Sequence, residues 1–290
     1  MCYIIFLIHY IILWYEFYNR NLKLYKIEVY RKNIFAAIIY SRTIKFKIMP
    51  ITKINNILQA TAHRPFPPPQ QSWKYVQEWH DVLLLHWQIP TSDIADLLPN
   101  GLIPDTIHGS AWLSLFLFSV KNTRPRFLPP VVHLSDFYEV NLRTYVIKDG
   151  KPAIYFFSVE ASKGLCAMLI RNFIGLPYIK SKIDKRLNKY VLKNKEMQHL
   201  VNIRYLPLED IYQKSALDLW LTERYCVYQL EHNTMYEYNI HHEEWPLKKA
   251  KIQKLQIDYR YKNIHLFDTK PDEKHFASSL RVLLWGKKKC

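Results

Sequence analysis

The apolar residues of this chain fall into short runs separated by turn signals, a pattern that favours strands over long amphipathic helices. A first strand is predicted over Val82–Ile89. Ser92 offers an N-cap to the short helical run SDIADLL (92–98), which Pro99 and Gly101 end. GSAWLSLFLFSV (109–120) reads as a long aromatic and aliphatic strand, followed by an Arg/Pro loop, RPRFLPP (124–130). DFYEVNLRTYVI (136–147) and AIYFFSVEA (153–161) flank Asp149 and Gly150, and Asp-Gly between two such runs predicts a hairpin. Lys163–Ile174 lacks strand punctuation and reads as a helix ending at Gly175, before Pro177. Further strands are expected over 223–230, 236–242 and 278–285, with no internal repeat. The fold class that follows is α+β, mainly antiparallel β, as a barrel or sandwich with one or two helices.

The first part of the chain follows no such pattern. Tyr3 to Tyr15 is apolar except for His9, a run of 13 residues. That is short of the roughly 20 a spanning helix needs, and no basic segment precedes it as in a signal peptide. Residues 1–48 are expected to be an N-terminal extension outside the fold, from an over-long reading frame in which Met49 is the natural start. A weak membrane anchor, or an added strand or helix, are the alternatives. Residues 49–72 form a Pro-rich lead-in, in which TAHRPFPPPQQS (61–72) favours polyproline geometry. A single domain is expected over 73–286, followed by a basic tail at 287–290.

Composition supports this outline. Of the 290 residues, 49% are apolar and 23% charged, enough for a sizeable core and against disorder. The 21 Tyr, 14 Phe and 8 Trp make up 15% of the chain, an excess that fits strands and aromatic-lined cores. The net charge of +16 raises the question of nucleic acid, but residues 1–48 hold eight bases against two acids. A second basic cluster runs from Lys180 to Lys195 and a third is the tail, so the charge reads as solvated loops and ends. No zinc-finger, RNP-type or helix-turn-helix spacing accompanies it, and no specific nucleic-acid partner is expected. Cys2, Cys166, Cys226 and Cys290 show no C-x-x-C spacing, which argues against a zinc site or disulfide framework and for a cytoplasmic location. No G-x-S-x-G, G-x-G-x-x-G or G-x-x-x-x-G-K-[ST] string is present.

The strand over 136–147 carries the most chemistry. Alternation puts Glu139, Asn141, Arg143 and Tyr145 on one face and Tyr138, Val140, Leu142, Thr144 and Val146 on the other. That polar face is either a solvated face or the lining of a cavity. In a cavity, Glu139 and Arg143 stand too far apart for a mutual salt bridge and each needs its own partner, an anionic ligand being one for Arg143. The hairpin mate places Phe156, Ser158 and Glu160 together. Glu160 is then paired, raised in pKa for acid/base work, or merely exposed at a strand end; Arg171 is a candidate partner. His241 and His242 invite a metal reading, but neighbours on a strand face opposite ways and no spacing supplies a second ligand, so no metal is expected. One of the two is expected to point inward and hydrogen-bond a carboxylate. His86 reads as a satisfied core histidine, and Glu223 and Arg224 as part of the polar interior or a strand-end ion pair.

The strings TAHRP (61–65), WHDVLLLHW (79–87), LIPDTIHGSAW (102–112), FYEVNLRTYV (137–146), GKPAIYFFSVEA (150–161), Leu176-Pro177-Tyr178, LTERYCVY (221–228) and HHEEWPL (241–247) resemble the YqjF-like family. That domain-of-unknown-function group belongs to the acetoacetate decarboxylase-like superfamily. The resemblance begins after residues 1–48 and implies a cone-shaped, mainly antiparallel β-barrel with an internal cavity and a few short helices. Acetoacetate decarboxylase uses a Schiff-base lysine directly after a proline; the counterpart here is Tyr178 after Pro177, and Tyr cannot form an imine. The family pattern also tends to Asp where this chain has Glu160.

The expected function is binding of a small anionic or carbonyl-bearing organic molecule in a polar barrel cavity, without that lysine and without a cofactor. Arg143 is the expected anion anchor, with Glu139, Glu160 and Tyr178 as candidate catalytic groups. Asn141, Tyr145, Ser158, Arg171, His241, His242, Glu223 and Arg224 are candidate ligand-binding residues. A lyase or isomerase using carboxylate and Tyr is the alternative, and a structural or nucleic-acid-associated role the second. The expected partner is a small organic ligand, with a second copy of the chain as a further candidate; a membrane partner would require residues 1–48.

Overall fold

A computed structural model of the chain describes residues 51–130, 135–164 and 175–290. The N-terminal extension, the helix expected over 163–174 with Arg171, and two of the four cysteines lie outside them. Helix α1 (Ile51–Gln59) precedes the first strand, β1 (Tyr75–Ile89). β1 starts seven residues before the predicted Val82, because the chain continues in register through a bulge at Asp81, whose φ is +51°. Helix α2 (Thr91–Ala95) follows, with Pro90 rather than Ser92 at its N-cap and no side-chain cap. β2 (Ile103–Pro104) and β3 (Ala111–Pro125) come next, so part of the predicted Arg/Pro loop is strand.

β4 (Phe137–Lys148) and β5 (Lys151–Ala161) form the predicted hairpin around Asp149 and Gly150. Both turn residues take positive φ, +50° and +76°, the conformation a two-residue hairpin loop needs. Gly150→Ala would force a Cβ into that region and is expected to cost about 1 kcal/mol, read as a lower denaturant midpoint at unchanged m-value.

Beyond β6 (Tyr178–Lys180), the basic stretch folds as β7 (Lys182–Arg186) and β8 (Lys189–Asn194), not as loops. Ile183, Tyr190 and Leu192 face inward while several lysines face water, so the charge marks a solvated strand face. β9 (His199–Asp210), helix α3 (Ala216–Thr222), β10 (Cys226–Glu231) and β11 (Thr234–His241) follow. α3 ends at Thr222, and the strand expected over 223–230 begins only at Cys226, after Glu223, Arg224 and Tyr225 outside any regular element. The N-terminus of α3 is set by a capping box in which Ser215 and Asp218 satisfy each other's backbone N–H groups. β12 (Lys248–Tyr261), β13 (Ile264–Phe267), β14 (Glu273–Leu284) and β15 (Lys288–Lys289) complete the chain.

All strands join one mixed, mainly antiparallel sheet; β5–β10 and β5–β6 are parallel pairs. The path β11-β10-β5-β4-β3-β1-β14 returns to β11 through an additional β11–β14 pairing. Two apolar clusters share β1, β3 and β4. One takes Leu83, Leu85, Leu115, Leu117, Val140 and Leu142 against β8, β9 and β12; the other takes Leu84, Phe116, Phe118, Val159, Tyr178 and Trp245. The lead-in belongs to the folded unit. Ile57 of α1 is buried with Trp73, Val76, Leu283 and Trp285, so the fold begins well before Trp73.

Candidate functional site: a buried polar face on β4

Alternation along β4 holds. Glu139, Asn141, Arg143 and Tyr145 share one face, each 4% exposed or less, which decides against a solvated face. Their cross-strand neighbours on β3 are Phe118 for Glu139, Phe116 for Asn141 and Ser114 for Arg143, so the polar row runs beside an aromatic one.

Glu139 Oε2 accepts from the Tyr178 hydroxyl at 2.6 Å and Oε1 from Asn141 Nδ2 at 3.0 Å. Burial pushes its carboxyl up to about 7, against the pull of those hydrogen bonds and of Arg143. The Arg143 guanidinium lies flat on Phe116, 3.3 Å from the ring centre, a cation–π contact away from water. Its Nε and Nη2 are buried without a hydrogen-bond partner, and so is Asn141 Oδ1. Burial lowers Arg143 to about 10, with Tyr145 opposing, so it stays charged at neutral pH. As the strand spacing requires, Glu139 does not reach Arg143 as a salt bridge.

Tyr145 begins a hydrogen-bonded row across four strands, β4, β3, β1 and β14. Its hydroxyl donates to the Leu221 carbonyl at 2.8 Å and lies 2.7 Å from Ser114 Oγ, which lies 2.6 Å from His86 Nδ1. His86 Nε2 is 3.3 Å from His275 Nδ1, and His275 Nε2 is 2.8 Å from Asp218 Oδ1. The carbonyl at one end only accepts, so Ser114 donates to Tyr145 and His86 Nδ1 to Ser114, and the row runs on through His275 to the Asp218 carboxylate. His86 is thus the satisfied core histidine expected, held neutral by burial and by neighbouring His275 and Arg143.

The second cluster of candidates is elsewhere. A bulge places Phe157 between the pairs Arg143–Phe156 and Leu142–Ser158. The extra residue reverses the alternation of β5. Phe156 stays on the Arg143 face, whereas Ser158 and Glu160 turn to the opposite one, with Leu142 and Val140. Reading Ser158 and Glu160 together with Phe156 is therefore corrected, and Glu160 does not converge with Glu139 and Arg143. Glu160 is fully buried; it meets His199 Nδ1 at 2.9 Å and Asn194 Nδ2 at 3.2 Å and accepts from the Ser181 hydroxyl. Burial works to raise its carboxyl, but the hydrogen bonds from His199, Ser181 and Tyr259 outweigh it and hold Glu160 below its ordinary value. Ser158 bonds Tyr259 at 2.8 Å.

The remaining candidates also have partners. Arg224 Nη1 donates to Asp105 at 2.5 Å, a buried ion pair, and the guanidinium covers the rings of Tyr145 and Trp220. Glu223 accepts from the Tyr225 hydroxyl and, at 3.0 Å, from the Trp245 backbone N–H. His241 accepts from Arg64 Nη1 at 2.9 Å and donates to the Ile57 carbonyl at 2.6 Å, tying the lead-in to β11. His242 donates from Nδ1 to the Glu243 carbonyl at 2.7 Å. His63, Ser114, Asp218, His199 and His275 escape a reading by local pattern, because each meets its partners across long sequence separations.

The described geometry can be set beside known proteins. The model of the DUF2071 family, an uncharacterized conserved protein, matches residues 76–281. The chain belongs to this family. YqjF of Bacillus subtilis, itself uncharacterized, is 36% identical over 229 residues, 76% of this chain and 94% of YqjF. Among solved structures, the enduracididine biosynthesis enzyme MppR with HEPES bound has a TM-score of 0.54 at 13% identity, covering 77% of this chain and 88% of MppR. MppR complexed with pyruvate gives 0.51 at 12% identity, over 78% and 91%. Acetoacetate decarboxylase from Legionella pneumophila gives 0.52 at 12% identity, over 84% and 96%. These likenesses give the DUF2071 chain an acetoacetate decarboxylase-like fold, as the sequence strings imply. Among the described residues no helix is long and apolar enough to cross a membrane.

Proposed function

We propose that this chain binds a small organic carboxylate, of the 2-oxo acid type, inside a cone-shaped barrel closed by the β11–β14 pairing. The observation that carries the reading is Arg143: a charged guanidinium backed by Phe116, with two buried nitrogens, Nε and Nη2, that no acceptor among the described residues meets. Leaving such donors unpaired costs of the order of 1–3 kcal/mol each, a cost a carboxylate would offset through bidentate hydrogen bonds. Asn141 and the Glu139–Tyr178 pair stand beside it as groups that could meet a carbonyl or hydroxyl oxygen. MppR has been captured with pyruvate on a related fold, which is consistent with such a ligand.

A second reading, turnover of the bound acid, is favoured by one observation, the Glu139 carboxyl held near 7 with Tyr178 hydrogen-bonded to it. A group of that pKa can take a proton from carbon or oxygen at neutral pH and return it. A lyase or isomerase step would need no imine, and Tyr178 follows Pro177 at the position that the sequence resemblance sets against the decarboxylase's lysine.

A thermal-shift screen of 2-oxo acids and cyclic carboxylates tests the first reading. A ligand at 100 times its Kd should add about 2.7 kcal/mol; no response from any carboxylate would overturn it. Incubating a hit in deuterated water and following its α-protons by NMR tests the second, with exchange expected in the wild type and lost in Glu139→Gln. Binding should also depend on pH. Glu139 is neutral below about 7 and anionic above, so affinity for an anion at Arg143 is expected to fall as pH rises through that value and to stay flat in Glu139→Gln. Titration calorimetry between pH 6 and 8 checks this.

A further inference from the structure

A second cluster lies outside the Arg143 site. His63 of the lead-in, Glu223 after α3 and His242 after β11 each present a ligand atom, and these atoms all lie within 4.8 Å of one another. Glu223 and His242 are buried and His63 is half-buried, which leaves an approach from its side. The three come from TAHRP, LTERYCVY and HHEEWPL, strings separated by up to 179 positions in the chain.

The hydrogen bonds of both histidines leave one ring nitrogen of each free to ligate. His63 Nε2 is 2.9 Å from the His242 carbonyl and His242 Nδ1 is 2.7 Å from the Glu243 carbonyl. A carbonyl only accepts, so both nitrogens carry the proton, and His63 Nδ1 and His242 Nε2 are left as lone pairs. A ligating histidine characteristically donates its other N–H to a carbonyl or carboxylate, which fixes the ring and raises its basicity. Glu223 is oriented in the same way: the Tyr225 hydroxyl donates to Oε2 and the Trp245 N–H to Oε1, and each oxygen keeps a further lone pair.

We propose that His63, Glu223 and His242 form a binding site for a divalent transition-metal ion of the zinc class. Two imidazoles and one carboxylate are the donor set of open zinc sites, with a fourth position for water or substrate oxygen. Calcium or magnesium is disfavoured, since both seek oxygen-rich shells and two of these three donors are nitrogen. Arg64 lies on the Tyr225 ring, 4.3 Å from its centre, and its Nη2 is buried without a partner. With this cation close by, the fourth ligand is expected to be anionic. This metal site does not rest on carboxylate binding at Arg143, and either can fail without the other.

The test uses the untagged full chain, stripped with chelator and titrated with zinc sulfate or cobalt chloride. One zinc per chain by elemental analysis, and a cobalt visible absorption of four- or five-coordinate intensity, are the expected results. His63→Ala and His242→Ala should each weaken zinc binding at least tenfold while the circular dichroism spectrum is kept. His63 is half-buried in the lead-in, so its variant is the safer one for folding. Glu223→Gln should weaken zinc and shift the cobalt spectrum. Stoichiometry below 0.2 per chain, or equal zinc affinity in wild type and His63→Ala, would overturn the proposal.

Discussion

Replacing Arg143 by Met is expected to stabilise the ligand-free protein while abolishing carboxylate binding. Met fills much of the volume of the arginine stem, keeps contact with Phe116, and carries no buried charge. Exchanging buried charged groups for apolar ones of similar volume is often neutral or stabilising, by about 1–4 kcal/mol. For a folded unit of this size, each kcal/mol corresponds to a rise of about 2–4 °C in Tm. A residue kept for packing alone would give the opposite sign, because its loss would leave a cavity. The trade between stability and binding is what a preformed anion site implies, and it follows from the unpaired Nε and Nη2.

Glu160→Ala is expected to act in the reverse sense, with a loss of stability of about 3–5 kcal/mol. It strands His199, which lies against Glu160 at 2.9 Å and donates from its other nitrogen to the Arg260 carbonyl at 2.8 Å. Because the folded-state carboxyl is held below its unfolded value, its contribution is present above about pH 4.3 and fades as pH falls through the folded value. The gap between wild type and variant in urea should therefore narrow on acidification. Carboxylate binding should survive in Glu160→Gln, since Glu160 and Arg143 occupy opposite faces of the sheet. Binding lost in a folded Glu160→Gln would contradict that two-faced placement.

The different fates of these two residues show what a sequence can convey. On β4 a strict period of two, unbroken from Glu139 to Tyr145, was enough to gather the polar face. What it lacked was the burial state, which depends on the cluster built from Phe116, Phe118 and Trp245 over the strand. On β5 the same rule misplaces Ser158 and Glu160, because one extra residue at Phe157 reverses every side chain after it. Nothing in IYFFSVEA marks that bulge, since no Gly or turn residue is needed for it. The basic run 182–194 conceals its strands in another way: charged residues on one face hide Ile183, Tyr190 and Leu192 on the other. The Pro-rich lead-in reads as an extended polyproline stretch, yet it delivers His63 and Arg64 to His241 and His242. That contact closes a separation of more than 170 residues, and no local pattern encodes it. By contrast, the Ser215–Asp218 capping box was legible in principle, since Ser-x-x-Asp before LWLT is a helix start.

The central claim is that Arg143 is a charge held ready for an anionic ligand. Thermal melting of wild type and Arg143→Met, each without and with a saturating 2-oxo acid such as pyruvate, tests it most directly. The variant is expected to melt higher than wild type without ligand, and the acid to raise only the wild type. A variant that melts lower, or that gains as much from the acid as the wild type does, would contradict it.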